Sequence, residues 1–134
     1  MTQEKNKNLY LVRHGSYNPI TEELNLEGIL EIVNTTKEIK NQLNGLEAIS
    51  IYHSPIIRAK QSAEVIAENL QPIKSTVIEK EALRLERNKV KEVAEAINDK
   101  YAIIVSHGPD LENYLYKLGV YRELPKGGYE LVKN

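Results

Sequence analysis

Leu9-Tyr10-Leu11-Val12, followed by Arg13-His14-Gly15, is a short apolar run that halts at an arginine, a histidine and a glycine. A brief apolar run bounded in this way reads as a buried strand. The same figure recurs twice. Ala48 to Tyr52 halts at His53-Ser54-Pro55, and Tyr101 to Val105 halts at Ser106-His107-Gly108-Pro109. Between these runs the apolar residues fall at helical spacing. Ile29, Ile32, Val33, Ile39 and Leu43 make one apolar face, and Ala59, Ala63, Ile66, Ala67 and Leu70 make another. Strands alternating with amphipathic helices predict an α/β fold.

Local signals place the boundaries. Asn25 is the expected N-cap of the first helix, with Asn44-Gly45 as its stop. Ser54 suits an N-cap and Pro55 the first helical position after the second strand. Asn88 is the expected cap of a helix that turns Val90, Val93, Ala94 and Ile97 inward. A last helix carries Leu111, Tyr114, Leu115 and Leu118 and closes at Gly119. Ser75 to Ile78 and Gly128 to Val132 are further strands, the latter at an edge. Residues 16–24 form a loop with Asn18-Pro19 as a turn, and the polar residues 1–7 are expected to fray.

A chain of 134 residues fits one domain, 1–134. It has 41% apolar and 28% charged residues, which excludes a disordered chain. With eight Tyr and no Phe or Trp, the core must rest on Ile, Leu and Val. A net charge of −1 argues against a broad nucleic-acid footprint. No cysteine is present, so disulfide and thiolate chemistry are excluded. No apolar run is long enough to span a bilayer and no signal-peptide pattern opens the chain, so neither a membrane nor a nucleic-acid partner is expected and the cytoplasm is the default location.

All three histidines, His14, His53 and His107, stand at the C-terminal ends of strands. Open α/β sheets bind ligands at those ends, beside helix N-termini. Arg13 and Arg58 lie in the same segments. Two guanidinium forks suit phosphate oxygens without a metal. A neutral imidazole can attack phosphorus and divide one hard displacement into two easier ones. Nearby guanidinium charge keeps it neutral, and a second imidazole, if protonated, can donate to the transferring group. Zinc does not fit, because the histidine spacings are wrong and the arginines would repel a cation. Asn18 reads either as a phosphate contact or as a turn residue.

On these three blocks the chain resembles the histidine phosphatase superfamily, the phosphoglycerate mutase-like family. The matching residues are Leu11-Val12-Arg13-His14-Gly15, the segment from Ser54-Pro55 through Arg58-Ala59-Lys60-Gln61-Ser62-Ala63, and Ser106-His107-Gly108, with Leu24-Asn25-Leu26-Glu27-Gly28 as the family's helix start. The resemblance runs from residue 9 to about 118 and is strongest to the small bacterial phosphohistidine phosphatases. It implies a three-layer α/β/α sandwich with a mostly parallel sheet, no metal or other cofactor, and a phosphorylated small molecule or phosphoprotein as substrate. His14 would be the nucleophile. Arg13, Arg58 and His107 would bind the phosphoryl group, with Gly15 and Gly108 beside them.

Members of the family often carry an acid two positions after the nucleophile, where this chain has Ser16. Others place it after the third strand, which makes Glu81 and Glu86 the candidates for leaving-group protonation. A phosphohistidine needs less acid assistance. His53 stands where the family has a small or polar residue, which implies a structural or pocket-rim role rather than catalysis. The short segment 16–23 favours a phosphatase over a mutase. The alternatives are a phosphate-binding regulatory module of weak activity and a mutase-like phosphotransferase.

Overall fold

The computed structural model describes residues 6–133. Five strands form one sheet in the order β3-β2-β4-β1-β5, where β1 is Asn8–Arg13, β2 Ala48–His53, β3 Lys74–Glu79, β4 Tyr101–Ser106 and β5 Tyr129–Lys133. All neighbours are parallel except β5, which runs antiparallel to β1 at the edge. Four helices connect them: α1 (Leu26–Asn41), α2 (Ile57–Leu70), α3 (Val90–Ala96) and α4 (Asp110–Lys117).

Side chains alternate across a strand, and both faces of β1 are apolar. Leu9 and Leu11 pack with α3 and α4 through Val93, Leu111 and Leu115. Tyr10 and Val12 pack on the other face with α1 and α2 through Ile32, Ile39, Ala63 and Ile66. The sheet is thus covered on both sides, which is the expected three-layer α/β/α arrangement. No described helix is long and apolar enough to cross a membrane.

Several local expectations need correction. Asn25 does cap α1, its Oδ1 accepting the Gly28 N–H at 2.8 Å. The buried stripe of α1, however, runs through Gly28, Ile32, Thr35, Thr36 and Ile39, while Ile29 is exposed and Val33 only half-buried. The cause is a close approach. A Cβ on Gly28 would lie 2.0 Å from the Ser16 carbonyl oxygen, so α1 is rotated to put this glycine against the end of β1. Helix α2 starts at Ile57 and not at Pro55: Ser54 Oγ meets only the Ile56 N–H locally and is shared with His107, and Ile56 is the extended residue that precedes the helix. Asn88 does not cap α3. Its backbone is left-handed (φ 54°), and its Oδ1 accepts from the Asn113 side chain. Ile97 lies just past the end of α3, and Leu118 is exposed.

Of the N-terminal residues expected to fray, 1–5 lie outside the described residues, but Lys7 is firmly placed. It is buried, and its Nζ donates to the carbonyls of Ala94 and Ile97, both at 2.9 Å. Those carbonyls stand at the end of α3, where a cation is favoured.

Candidate active site

Strand register builds the site. β1 and β4 run side by side with Arg13 opposite Ser106, so the next residue of each strand, His14 and His107, leaves the sheet at the same edge. Their rings lie 5.1 Å apart between centroids at 62°. The helix after β1 covers one face and the helix after β4 the other, which opens a crevice where the chain paths diverge.

His14 is buried, and its Nδ1 stands 3.0 Å from the Gly15 carbonyl oxygen. A carbonyl only accepts, so the ring proton is on Nδ1 and the lone pair on Nε2. Arg58 reports the same tautomer by donating from Nε to His14 Nε2 at 3.2 Å. Burial, first, and then the charges of Arg58, Arg13 and Lys126 lower the His14 pKa to about 4, against the opposing pull of the Gly15 carbonyl. The imidazole is therefore neutral at physiological pH with Nε2 unprotonated.

His107 is fully buried and lowered to about 3, again by burial first and then by His14, Arg58 and Arg13. The second imidazole is thus neutral here, so the condition of a protonated ring is not met in the free protein. It still carries one N–H. Nε2 is 2.8 Å from Ser54 Oγ, which also accepts from the Ile56 N–H. With the serine hydroxyl donating to Nε2, the ring proton is on Nδ1, a buried atom with no protein partner. Such an orphan donor calls for a ligand.

Both arginines are held by the fold. Arg13 donates from Nη1 to the Leu124 carbonyl at 2.8 Å and keeps a buried, unpartnered Nε. Arg58 is buried in the first turn of α2, and its Nη1 is 3.3 Å from Glu22 Oε1. Its guanidinium carbon lies 4.4 Å from the Tyr17 ring centroid, a cation–π contact.

Other candidates fall elsewhere. The Gly15 N–H donates to Ser62 Oγ at 3.1 Å. A Cβ there would lie 2.6 Å from the Gly28 carbonyl oxygen. Gly108 packs against the Arg13 guanidinium. Asn18 takes the turn alternative, its Oδ1 accepting from the backbone of Ile20 and Thr21. Glu81 is on the surface, paired with Arg84 at 3.0 Å and Arg87 at 3.9 Å. Glu86 is an exposed residue of left-handed backbone (φ 71°) beside Asp110. No contact among the described residues joins either acid to His14, Arg58 or His107. His53 is buried with Nδ1 bound to the Ser54 carbonyl at 2.8 Å, in keeping with a structural role.

Sequence reasoning missed four residues. Tyr17 meets His14 edge-on at 5.5 Å, and Lys126 Nζ stands 5.3 Å from the Tyr17 ring. Lys126 is carried there by Gly127, whose N–H bonds the carbonyls of Arg13 and His14 and whose carbonyl accepts from Thr35. Glu22 reaches the cluster through its pair with Arg58. Ser54 orients His107. Tyr17 and Glu22 lie in the 16–24 loop and Lys126 follows the last helix, but no pattern in the sequence singled out these side chains.

No family model and no curated protein sequence matches the chain. Solved structures do match its shape. A candidate phosphohistidine phosphatase, SixA, from Agrobacterium tumefaciens superposes with a TM-score of 0.76 at 16% identity, over 96% of this chain and 92% of that one. A second SixA candidate, from Nakamurella multipartitia, gives 0.71 at 15% identity over 95% and 84%. Phosphoglycerate mutase from Plasmodium falciparum gives 0.65 at 23% identity over 98% and 90%. Sheet order, layers and these likenesses agree with the resemblance read from the three sequence blocks: the chain has the phosphoglycerate mutase-like fold of the histidine phosphatases.

Proposed function

We propose that the chain is a metal-independent phosphatase that hydrolyses a phosphomonoester or a protein phosphohistidine through a covalent intermediate on His14. The observation that carries this reading is the His14 tautomer: Nδ1 donates to Gly15 and the Nε2 lone pair sits against Arg58. Burial keeps that lone pair free of a proton.

In the first step His14 Nε2 attacks phosphorus, a P–N bond forms, and the bond to the leaving group breaks with its electron pair going to the leaving atom. Arg13, Arg58 and the His107 Nδ1–H receive the charge that gathers on the phosphoryl oxygens. In the second step water attacks phosphorus, the P–N bond breaks, and inorganic phosphate departs with the imidazole restored. Tyr17 and Lys126 close the anion pocket from the loop side, and Lys126 adds a positive charge to it. The site acts in the cytoplasm on this reading.

The test is hydrolysis of an aryl phosphate and of a phosphohistidine peptide in excess chelator. Activity is expected to persist with chelator and to vanish in His14→Ala; activity surviving that substitution rules the mechanism out. A second reading, a phosphate-responsive module with little turnover, is favoured by Glu22, whose carboxylate occupies the Arg58 guanidinium. It would show vanadate stabilising the fold while no substrate is consumed.

A further inference from the structure

We propose that the cavity beside Arg13 and Gly108 is a leaving-group subsite that selects leaving groups carrying a positively charged N–H donor, with Glu112 as the residue that recognises it. The proposal rests on the phosphatase reading and gives that site its substrate class.

The cavity measures about 490 Å³, within the range of small-molecule sites, and lies between the start of α4 and the segment 123–125. It shares Arg13 with the catalytic cluster and includes Gly108, the residue after His107, and Glu112, Tyr116 and Glu123 complete the walls that matter here. Glu112 is only 7% exposed. Its Oε2 accepts the Leu124 N–H at 2.9 Å, whereas Oε1 is buried with no partner. A carboxylate is an acceptor on both oxygens, and a buried acceptor left unmet is costly. No ion pair or hydrogen bond among the described residues joins Arg13 to it: Nη1 donates to the Leu124 carbonyl, and Nε is itself without a partner.

Gly108 keeps the approach clear. A Cβ there would stand 3.1 Å from Glu112 Oε1 and 3.4 Å from Arg13 Nε, so a side chain at this position would wedge between the two unpartnered atoms. The charges are also ordered. Arg13, Arg58 and Lys126 act on His14, while Glu112 and Glu123 line the cavity together with Arg13. That order matches a substrate with a negative phosphoryl group and a cationic leaving group. The ammonium of a phosphorylated amino alcohol and the imidazolium of an N-phosphorylated histidine share this chemistry.

The experiment measures kcat/KM for two matched pairs: O-phosphoethanolamine against propyl phosphate, and N-phosphoimidazole against phenyl phosphate. Each is run with the wild type, Glu112→Gln and Gly108→Ala. Glu112→Gln keeps a carbonyl for the Leu124 N–H, so the loop stays anchored. A charge-assisted hydrogen bond predicts a preference of about tenfold or more for a cationic member in the wild type, falling to within about threefold in both variants. Preference in the first pair alone identifies an amino-alcohol leaving group, and in the second alone an imidazole. Equal rates within both pairs, or a preference that survives Glu112→Gln, overturn the proposal. Ethanolammonium and imidazolium are also titrated into the wild type while amide shifts at Asn113 and Tyr116 are followed by NMR. That arm needs no turnover, so it still decides the subsite if the chain hydrolyses nothing: shifts lost in Glu112→Gln support it, and no shifts sink it.

Discussion

Acidification from pH 7 to pH 5 is expected to weaken the fold by about 2 kcal/mol through His14 alone. In the unfolded chain this imidazole titrates at its ordinary 6.5, and in the fold at about 4. Above 6.5 both states hold a neutral ring and the stability is fully present. Between 6.5 and 4 the unfolded state takes up a proton that the folded state refuses, so stability is lost as pH falls through that window. At pH 5 the unfolded ring sits about 1.5 pH units below its pKa, and at about 1.4 kcal/mol per unit that gives the figure above. His107 acts in the same direction, and with the rings 5.1 Å apart the pair titrates together. Urea midpoints at the two pH values, for the wild type and for His14→Asn, measure the effect. The asparagine can still donate toward the Gly15 carbonyl but does not titrate. The wild-type midpoint should fall further than the variant's by roughly 1 M. An equal fall in both proteins would refute the reasoning, because it would mean that His14 titrates alike in the folded and unfolded states.

Three further outcomes are expected. Gly28→Ala places a methyl 2.0 Å from a backbone oxygen, so it should destabilise the fold by about 1–3 kcal/mol in chemical denaturation and reduce kcat by displacing Ser16 and its neighbour Gly15. Lys126→Ala removes a cation from the mouth of the site and should raise KM for a phosphomonoester several-fold with a smaller change in kcat, measured by steady-state kinetics. Lys7→Ala leaves the carbonyls of Ala94 and Ile97 without their amine and should cost about 1–3 kcal/mol, with faster amide exchange across α3.

The fold was legible because it is written in short-range signals. Leu9 to Val12 and Tyr101 to Val105 are apolar on both faces, as a sheet covered on both sides requires, and Asn25 caps its helix as its side chain suggests. Expectations went astray where a polar side chain serves a distant partner. Ser54 looks like a cap in sequence, yet its hydroxyl orients His107, which lies 53 residues away. Asn88 looks like another, yet it bonds Asn113 across to α4. Lys7 reads as part of a polar tail, but it reaches the end of α3, a contact no local pattern encodes. The site divides in the same way. His14, Arg13, Arg58 and His107 were legible because strand ends gather by topology. Tyr17, Glu22 and Lys126 reach the cluster only through the path of two loops. Glu81 and Glu86 were chosen by position along the chain, and the fold gives Glu81 to surface arginines and sets Glu86 beside Asp110.

The central claim is that phosphorus is transferred to His14 Nε2, and trapping that intermediate tests it most directly. Protein mixed with a phosphorus-labelled aryl phosphate is quenched in alkali within milliseconds and digested, and the labelled peptide is sequenced. The account predicts label on the peptide containing His14, stable in alkali, lost in acid, and absent from His14→Ala. Turnover with no label on the protein, or label on any residue other than His14, would contradict it.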